Sequence, residues 1–398
     1  MKVLQLCNKP PYPPVDGGTM AMNSITQGLL RAGCEVRVLT VETDKHPVHR
    51  DQLPDDYLRA ANLESVYIDL SVKPVPAAVA MLCGESYHVK RYHSAAFARR
   101  LTDILQQEQY DVVHVESIFL TPYVPLIRKY SQAKVILRAH NVEHLIWHHV
   151  AQSTRSYFKR WYLKHLSLTL RAYEMEHLGD YDGIVCITQG DADYFRANGC
   201  RRPVTAIPFG VEHGERGTEA VEPYSLFHIG AMDWMPNQES INWLLESVWP
   251  VVHREVPQVH LYLAGRKMPE RLMQAHIDGV TIVGEVDDAR RFIAGKQINV
   301  VPLLSGSGIR VKIIEAMSMG KAVVTTTVGA RGIDYTDGEN LLIANTPTEF
   351  ARQIRRLVDD PDYCRRVGEA AARLVERQYD VHRLTDRLLQ FYKERIDQ

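Results

Sequence analysis

The chain has 398 residues, which is long enough for two or three domains with separate hydrophobic cores. Hydrophobic residues make up 45% and charged residues 24%, a balance that excludes a mainly disordered or membrane-spanning chain. The 47 Lys and Arg residues against 48 Asp and Glu leave a net charge of -1, so no overall positive charge indicates nucleic acid as a partner.

The first half of the chain alternates short apolar runs with helical patterns. Residues 2–7 predict a strand, which is followed by a loop rich in Pro and Gly and by a helix that ends at Gly33. Further strands are predicted at 35–41, 66–70, 112–115, 134–138, 183–187 and 204–207, and helices at about 86–107, 155–178 and 190–198. This alternation predicts an α/β domain with a parallel sheet over residues 1–207.

The apolar pattern stops between residues 208 and 223, which predict a polar, glycine-rich linker. Beyond it, strands are predicted at 225–229, 259–264, 280–283, 298–304 and 322–326, with helices at about 238–254, 269–277, 309–319 and 347–358. A second α/β domain is therefore expected at 224–379. Residues 361–397 are helical throughout in pattern, and we expect the last helix, at about 380–398, to pack back on the first domain.

The segment from Gly306 to Gly320 carries most of the candidate chemistry. A glycine-bearing loop that enters a helix offers backbone N–H groups and the positive end of the helix dipole to an anion such as a diphosphate. Arg310 and Lys312 are expected in the first turn, where cations oppose the dipole, so an external anion explains them better than helix stability does. Glu315 leaves two alternatives open, an ion pair with Lys312 or acceptance of hydrogen bonds from a ribose.

Together with this segment, an ordered set of motifs resembles the landmarks of retaining GT-B glycosyltransferases of family 4. The set comprises residues 13–18, 137–143, 182–188, 207–211, 320–333 and 337–343. The resemblance covers essentially the whole chain. It implies two Rossmann-like parallel-sheet domains that face a cleft, with the acceptor side in the first domain and the nucleotide-sugar donor site in the second.

The same resemblance assigns roles to single residues. His140, at the end of a predicted strand, stands where the family places a histidine near the transferred sugar, and it is the first catalytic candidate. Glu315 is the second catalytic candidate. The donor-binding candidates are Gly17, Gly18, Ser307, Gly308, Ile309, Arg310, Lys312 and Glu315. Ser307 occupies the position where family members usually carry the first Glu of a Glu-x7-Glu pair. The segment from Gly230 to Asn237 lacks the basic pair common in the family, so Arg310 and Lys312 are expected to supply the positive charge.

Several of these residues also have a purely structural interpretation. Gly17 and Gly18 could form only a helix entry, although their small size would also admit a phosphate or sugar. Asn141 and Glu143 could equally be helix-capping residues.

No metal or redox cofactor is expected. The two Asp-x-Asp strings, at 180–182 and 191–193, precede a predicted strand and open a predicted helix, where we interpret Asp as an N-cap. The six scattered Cys residues form no zinc-binding spacing and are expected to be reduced thiols. A Gly-x-Gly-x-x-Gly dinucleotide motif is absent after the first strand.

No carboxylate occurs between Glu143 and Glu174, and basic residues alternate there with aromatic residues over 155–171. This stretch could contact an anionic membrane surface near a lipid-linked acceptor, or its aromatics could pack on their own domain. The chain has no apolar run of 18 residues and no signal-peptide pattern, so a cytoplasmic location is expected, with the inner face of the membrane as an option.

The sequence thus predicts a glycosyltransferase that moves a sugar from a nucleotide diphosphate sugar to a hydroxyl acceptor. The resemblance implies retention at the anomeric carbon, independence of metal, and a role in bacterial surface polysaccharide, glycolipid or glycoprotein assembly. Two alternatives stay open at this point. One is a nucleotide-sugar epimerase or hydrolase of the same fold, and the other is a catalytically silent protein that binds nucleotide sugars.

Overall fold

The computed structural model describes residues 1–14, 16–48, 53–211, 219–306 and 308–397. The chain divides into two units, the first formed by Met1–Gly210 with Val381–Gln398 and the second by Val211–Asp380. Within the described residues, no helix is both long and apolar enough to cross a membrane.

The first unit is built on a parallel sheet. Its strands are β1 Lys2–Cys7, β2 Glu35–Glu42, β3 Leu63–Tyr67, β4 Val112–Glu116, β5 Lys134–Ala139, β6 Gly183–Cys186 and β7 Val204–Ala206. Their order across the sheet is β3-β2-β1-β4-β5-β6-β7, and every pairing is parallel. All carboxyl ends therefore lie at one edge of the sheet, where ligands of open α/β sheets bind.

Helices cover both faces of this sheet. They are α1 Gly17–Arg31, α2 Asp55–Ala61, α3 Pro74–Leu82, α4 Tyr87–Lys90, α5 Ala95–Gln107, α6 Val124–Tyr130, α7 Glu143–Ser153, α8 Tyr157–Glu176 and α9 Gln189–Ala197, with 3-10 turns at Ile118–Tyr123 and His177–Asp180. The last helix of the chain, Val381–Ile396, belongs to the same unit. It packs on α1 where Gly28 has no side chain, because a Cβ atom there would lie 2.2 Å from Oγ1 of Thr385.

Alternation along the strands divides the core of this unit into two layers. On β4, Val113 and Val115 enter the larger apolar cluster, while Val112 faces the layer that holds α1 and the last helix. Because side chains alternate along a strand, His114 and Glu116 share the face of Val112. Both are fully buried, so the sheet carries a polar group inside an otherwise apolar layer.

The second unit contains a six-stranded parallel sheet within the described residues, in the order β10-β9-β8-β11-β12-β13. Its strands are β8 Ser225–Ile229, β9 His260–Ala264, β10 Val280–Gly284, β11 Ile298–Val301, β12 Ala322–Thr325 and β13 Leu342–Ile343. Its helices are α10 Met235–Trp243, α11 Trp249–Glu255, α12 Glu270–Met273, α13 Ala289–Ala294, α14 Val311–Ser318, α15 Pro347–Asp359 and α16 Pro361–Gln378, with a π-helical turn at Leu244–Val248. The helix Val381–Ile396 of the first unit follows as α17.

The predicted and observed elements differ mainly at their ends and in short helices. The strand expected at 298–304 ends at Val301, because Pro302 has no N–H to continue the ladder. The helix expected at 86–107 is two helices, α4 and α5, and that at 269–277 is only α12. Residues 361–397 form two helices, since α16 ends at Gln378. Helices α2, α3, α6, α7 and α13 were not predicted; α3 and α6 begin at or next to Pro, which the first turn of a helix tolerates.

Candidate functional site

The loop between β11 and α14 forms the centre of the candidate donor site. Gly306 and Gly308 have φ values of 116° and 76°, which favour glycine over other residues. A Cβ atom at Gly306 would also lie 3.1 Å from Nη2 of Arg310 and 3.1 Å from the Trp234 ring, so its absence makes room for both side chains. Gly308 and Ile309 are partly buried, and Ser307 lies outside the described residues.

Arg310 directly precedes helix α14 and does not lie in its first turn. Its backbone is extended, with φ −87° and ψ 96°, so the helix begins one residue later and the prediction for Arg310 was wrong by one position. The side chain is 4% exposed and lies over the ring of Trp234 at 5.7 Å. Burial and the neighbouring Arg331 cation lower the pKa of Arg310 to about 10, so added negative charge would be stabilised here.

Lys312 is held by two neutral groups of the second unit. Its Nζ donates to Oδ1 of Asn237 at 2.7 Å and lies 3.2 Å from Nε2 of His228. The Nδ1 of His228 lies 2.8 Å from the carbonyl oxygen of Val300, which can only accept, so Nδ1 carries a proton and Nε2 accepts from Lys312. Burial and Arg310 together lower the pKa of Lys312 to about 7.

Glu315 stands one turn further along α14. Within the part of the chain that the structure describes, no ion pair joins it to Lys312, because the ammonium of Lys312 bonds Asn237 and His228 instead. The first of the two alternatives for Glu315 is therefore excluded. Burial raises the pKa of the Glu315 carboxyl, while Arg290 acts in the opposite direction. The carboxylate remains available as a hydrogen-bond acceptor for a ligand.

His140 lies in the first unit, immediately after β5, and is 13% exposed. Its Nε2 lies 2.7 Å from Oε2 of Glu116 at the end of the neighbouring strand β4. The other oxygen of Glu116 accepts a 2.8 Å hydrogen bond from Nε2 of Gln5 and lies 3.2 Å from Nε2 of His114. Burial alone would raise the pKa of Glu116, but His114 and His140 hold it well below its ordinary value. Glu116 is therefore an ionised acceptor beneath His140.

The group around Glu116 extends to the last helix of the chain. The hydroxyl of Tyr392 on α17 lies 2.5 Å from Nδ1 of His114. Arg138 pairs in register with Glu116 on the adjacent strand, is fully buried, and its pKa is lowered by burial and raised by the carboxylate. Residues far apart in the chain therefore form the surroundings of Glu116 and, through it, determine the position of His140.

The first-unit glycines and the residues after His140 have defined surroundings. Asp16 caps α1 with a capping box and forms a 2.7 Å ion pair with Lys9, whose ammonium occupies the space beside Gly18. Gly17 is exposed. Neither Asn141 nor Glu143 caps the start of α7 with its side chain.

The side chain that bonds the start of α7 is Glu174 of α8, whose carboxylate accepts from the backbone N–H groups of Glu143 and His144 at 3.1 and 3.4 Å. Burial, with Glu174 nearby, raises the pKa of Glu143 to about 8. The interpretation of Asn141 and Glu143 as caps was wrong, because a residue 30 positions away serves that end.

The Asp-x-Asp strings belong to local structure. Asp182 accepts from the backbone N–H of Val135 at 2.7 Å and pairs with Arg128 at 2.8 Å. The prediction that Asp191 is the N-cap of α9 was wrong. Asp191 lies in the first turn of that helix, and Thr188 is the cap. Among the described residues, no group of three or more His, Cys, Asp or Glu side chains could hold a metal ion.

Sequence reasoning missed several residues of these two sites. His228, Trp234 and Asn237 were not singled out, although they lie at and just after the end of β8, the edge where ligand-facing residues collect. Glu116 was also missed. Its signal was a carboxylate at the end of the apolar run of β4, a position where an unpartnered charge would be costly.

Solved structures with the same architecture span nearly the full chain. A sucrose-phosphate synthase from Thermosynechococcus elongatus matches with a TM-score of 0.70, 17% identity and 99% coverage of both chains. Anabaena HepE in complex with UDP and glucose matches with a TM-score of 0.68, 14% identity and 99% coverage of both chains. At these identities the likeness concerns the fold, which is the GT-B fold of two parallel-sheet α/β domains.

Sequence comparison adds a relative and two family profiles. An "Uncharacterized 44.6 kDa protein in cps region" of Klebsiella pneumoniae is 26% identical over 294 residues, which cover 71% of this chain and 74% of the relative. The profile described as "Glycosyl transferases group 1" matches residues 223–360. The profile described as "Glycosyltransferase Family 4" matches residues 15–215, just over half of the chain. With its two parallel-sheet units and these matches, the chain belongs to glycosyltransferase family 4 and is a glycosyltransferase of the GT-B type.

Proposed function

We propose that this glycosyltransferase uses a nucleotide diphosphate sugar and transfers the sugar, with retention and without a metal ion, to a hydroxyl acceptor. One observation carries the donor assignment. The Lys312 ammonium is held by a neutral amide oxygen and a neutral imidazole nitrogen, and no carboxylate of the described residues pairs with it. A cation held this way, beside Arg310 and a glycine loop, is suited to an anionic ligand.

In the proposed reaction, the bond between the anomeric carbon and the β-phosphate oxygen breaks, and its electron pair goes to that oxygen. Arg310, Lys312 and the N–H groups at the start of α14 stabilise the developing charge, which is the part a metal ion would otherwise take. The acceptor oxygen attacks the same face of the sugar, and its proton passes to the departing diphosphate. Glu315 accepts hydrogen bonds from the ribose, and His140 binds the sugar.

Two of the similar proteins support the substrate class and the setting. HepE was solved in complex with UDP and glucose, and the Klebsiella relative is encoded in a cps region. We therefore place the acceptor of this chain in bacterial surface polysaccharide, glycolipid or glycoprotein assembly, and we place Gly17, Gly18, Gly308 and Ile309 among the residues that contact the donor.

Product analysis tests the proposal. The protein is incubated with a panel of nucleotide sugars, with and without simple hydroxyl acceptors, and the products are separated and identified by mass and by anomeric NMR signals. We expect one donor to yield nucleoside diphosphate and an acceptor glycoside of unchanged anomeric configuration. Release of free sugar regardless of acceptor would indicate a hydrolase, and formation of an isomerised nucleotide sugar would indicate an epimerase. Binding without turnover would indicate a catalytically silent protein that binds nucleotide sugars. An inverted glycoside would contradict retention.

A further inference from the structure

Helix α3 presents an apolar face to the outside of the first unit. Val75, Val79 and Leu82 are 74%, 45% and 83% exposed. Their spacing of four and three residues places them on one side of the helix. Ala77 and Ala80, on the other side, pack into an apolar cluster. The outward face of α3 is therefore not covered by the first unit itself.

The beginning of helix α8 has the same character. Tyr157, Phe158 and Trp161 are 75%, 82% and 56% exposed, whereas Leu163 and Leu166 are buried. The alternative in which the aromatics of 155–171 pack on their own domain therefore holds for Tyr162, which packs on an apolar cluster, and is wrong for these three. Exposed aromatic side chains are costly in water, and Trp and Tyr are favoured at the interface between water and lipid.

Both helices rest on one apolar cluster. Ala80 of α3 and Leu163 and Leu166 of α8 belong to it, together with Tyr87 of the intervening helix α4. The buried sides of α3 and α8 therefore pack on the same cluster of the first unit. We refer to Val75, Val79, Leu82, Tyr157, Phe158 and Trp161 as the α3–α8 surface.

The α3–α8 surface is bordered by positive charge. The chain has no Asp or Glu between Asp69 and Glu85, or between Glu143 and Glu174. The exposed cations on and next to α8 are Arg155, Lys159, Arg160, Lys164 and Arg171. Within the described parts of the chain, no ion pair neutralises any of these five. Beside α3, Lys73 pairs with Asp69 at 3.0 Å and Lys90 pairs with Glu85, so the positive border of the surface lies on the α8 side.

We propose that the α3–α8 surface docks on an anionic lipid bilayer, with its apolar side chains at the level of the headgroups and the surrounding cations against lipid phosphates. Apolar burial and attraction to anionic lipid act together in such interfacial binding. A protein partner of ordinary composition would have to supply a matching acidic face to every one of these cations, whereas an anionic bilayer supplies it over its whole area. The proposal adds α3 to the stretch 155–171 that the sequence indicated.

Vesicle co-sedimentation tests this proposal without nucleotide sugar or acceptor, so its outcome is independent of the proposed reaction. The full chain is mixed with vesicles of phosphatidylcholine alone or of phosphatidylcholine with phosphatidylglycerol. We expect binding to the anionic vesicles that weakens as salt is raised. Absence of binding, or equal binding to both vesicles, would overturn the proposal.

Paired substitutions locate the contact. Val79→Glu with Leu82→Glu on α3, and Phe158→Glu with Trp161→Glu on α8, should each reduce partitioning by about 10-fold or more, because each places acidic groups against anionic lipid. The control Met273→Glu changes an apolar side chain of similar exposure, 46%, in the second unit and should have no effect. Wild-type binding by the α3 variant, or equal loss in the control, would refute the surface as defined.

A labelling experiment tests α3 without disturbing it. Cys83, directly after α3, is a free and exposed thiol. In a Cys200→Ser background, a polarity-sensitive fluorophore on Cys83 should shift to shorter wavelength when anionic vesicles are added. An unchanged spectrum while the protein sediments with the vesicles would show that α3 is not in contact, and the proposal would be wrong.

Discussion

The imidazole of His140 and the carboxylate of Glu116 form a 2.7 Å pair at the ends of two adjacent strands. Because the low pKa of Glu116 keeps it ionised, it can only accept, and Nε2 of His140 must carry the proton. The other ring nitrogen, Nδ1, bonds no described residue. Nδ1 is therefore the ring atom of His140 that is left to bond a ligand, and a sugar hydroxyl, which can donate or accept, suits it.

Replacing His140 by Ala should slow transfer far more than it weakens nucleotide binding. A lost orienting contact can cost about 100-fold in kcat, whereas the affinity for the free nucleoside diphosphate should be unchanged. Steady-state kinetics and calorimetry measure the two effects. His148→Ala, an exposed histidine on α7, is the matched control. Wild-type turnover in a folded His140→Ala protein would remove His140 from the site.

Glu116→Gln should reduce kcat by up to about 100-fold with an unchanged Kd for the nucleoside diphosphate, because Glu116 is proposed to position His140 and not to touch the ligand. The amide can donate as well as accept, so it no longer selects the Nε2-protonated form. Long-range ¹H–¹⁵N NMR of the histidine rings should show this change. Glu64→Gln, which alters a carboxylate paired with Arg37 elsewhere in the sheet, serves as control. An unaltered tautomer with normal kcat would contradict the positioning role.

Arg310→Ala and Glu315→Gln should show which residue binds the diphosphate and which binds the ribose. Each charge-assisted hydrogen bond is worth about 1.5 to 3 kcal/mol, so one loss should weaken binding by about 10- to 150-fold. Arg310→Ala should weaken binding of the nucleoside diphosphate but not of the free nucleoside. Glu315→Gln should weaken binding of both ligands equally. Calorimetric titration with both ligands decides this, and Arg352→Ala, which changes an exposed arginine of α15, is the control. If both variants bind the diphosphate normally, the donor site lies elsewhere.

Binding of the nucleoside diphosphate should be coupled to protonation of Lys312. The free enzyme holds the Lys312 pKa at about 7, and a bound anion should raise it, so binding at pH 8 should take up about one proton per site. Affinity should then fall as the pH rises above about 7, by up to tenfold per unit until the pKa of the complex is reached.

Calorimetry in buffers of different ionisation enthalpy measures the uptake. Lys312→Met should abolish it, while Lys296→Met, which removes an ammonium paired with Glu222, should not. Identical heats in all buffers for the wild-type protein would show that Lys312 does not change its charge on binding.

Transfer should survive chelation by EDTA, because Arg310 and Lys312 are proposed to stabilise the leaving diphosphate. Asp193→Asn should leave turnover unchanged, since the described partners of Asp193 are Gln189 and Arg196 on its own helix. Activity that vanishes with EDTA and returns with Mg²⁺ or Mn²⁺ would show that the reaction needs a metal.

The sequence by itself determined the α/β class, the family, and a glycine loop followed by a helix, because each of the patterns that indicate them lies within a short stretch of chain. The apolar runs of β4 and β5 are local, and so are the glycines before α14. His140 could be placed at the end of a strand for the same reason.

Only the tertiary structure decided which groups meet. Glu116 and His140 are 24 residues apart, and Lys312 is separated by 84 residues from His228 and by 75 from Asn237. Strand order brings these pairs together, and no local pattern encodes it. Lys312 and Glu315 are three residues apart, so the sequence left open whether they form an ion pair. The tertiary structure decided against it, because the ammonium bonds residues of another strand and helix that lie far away in the sequence.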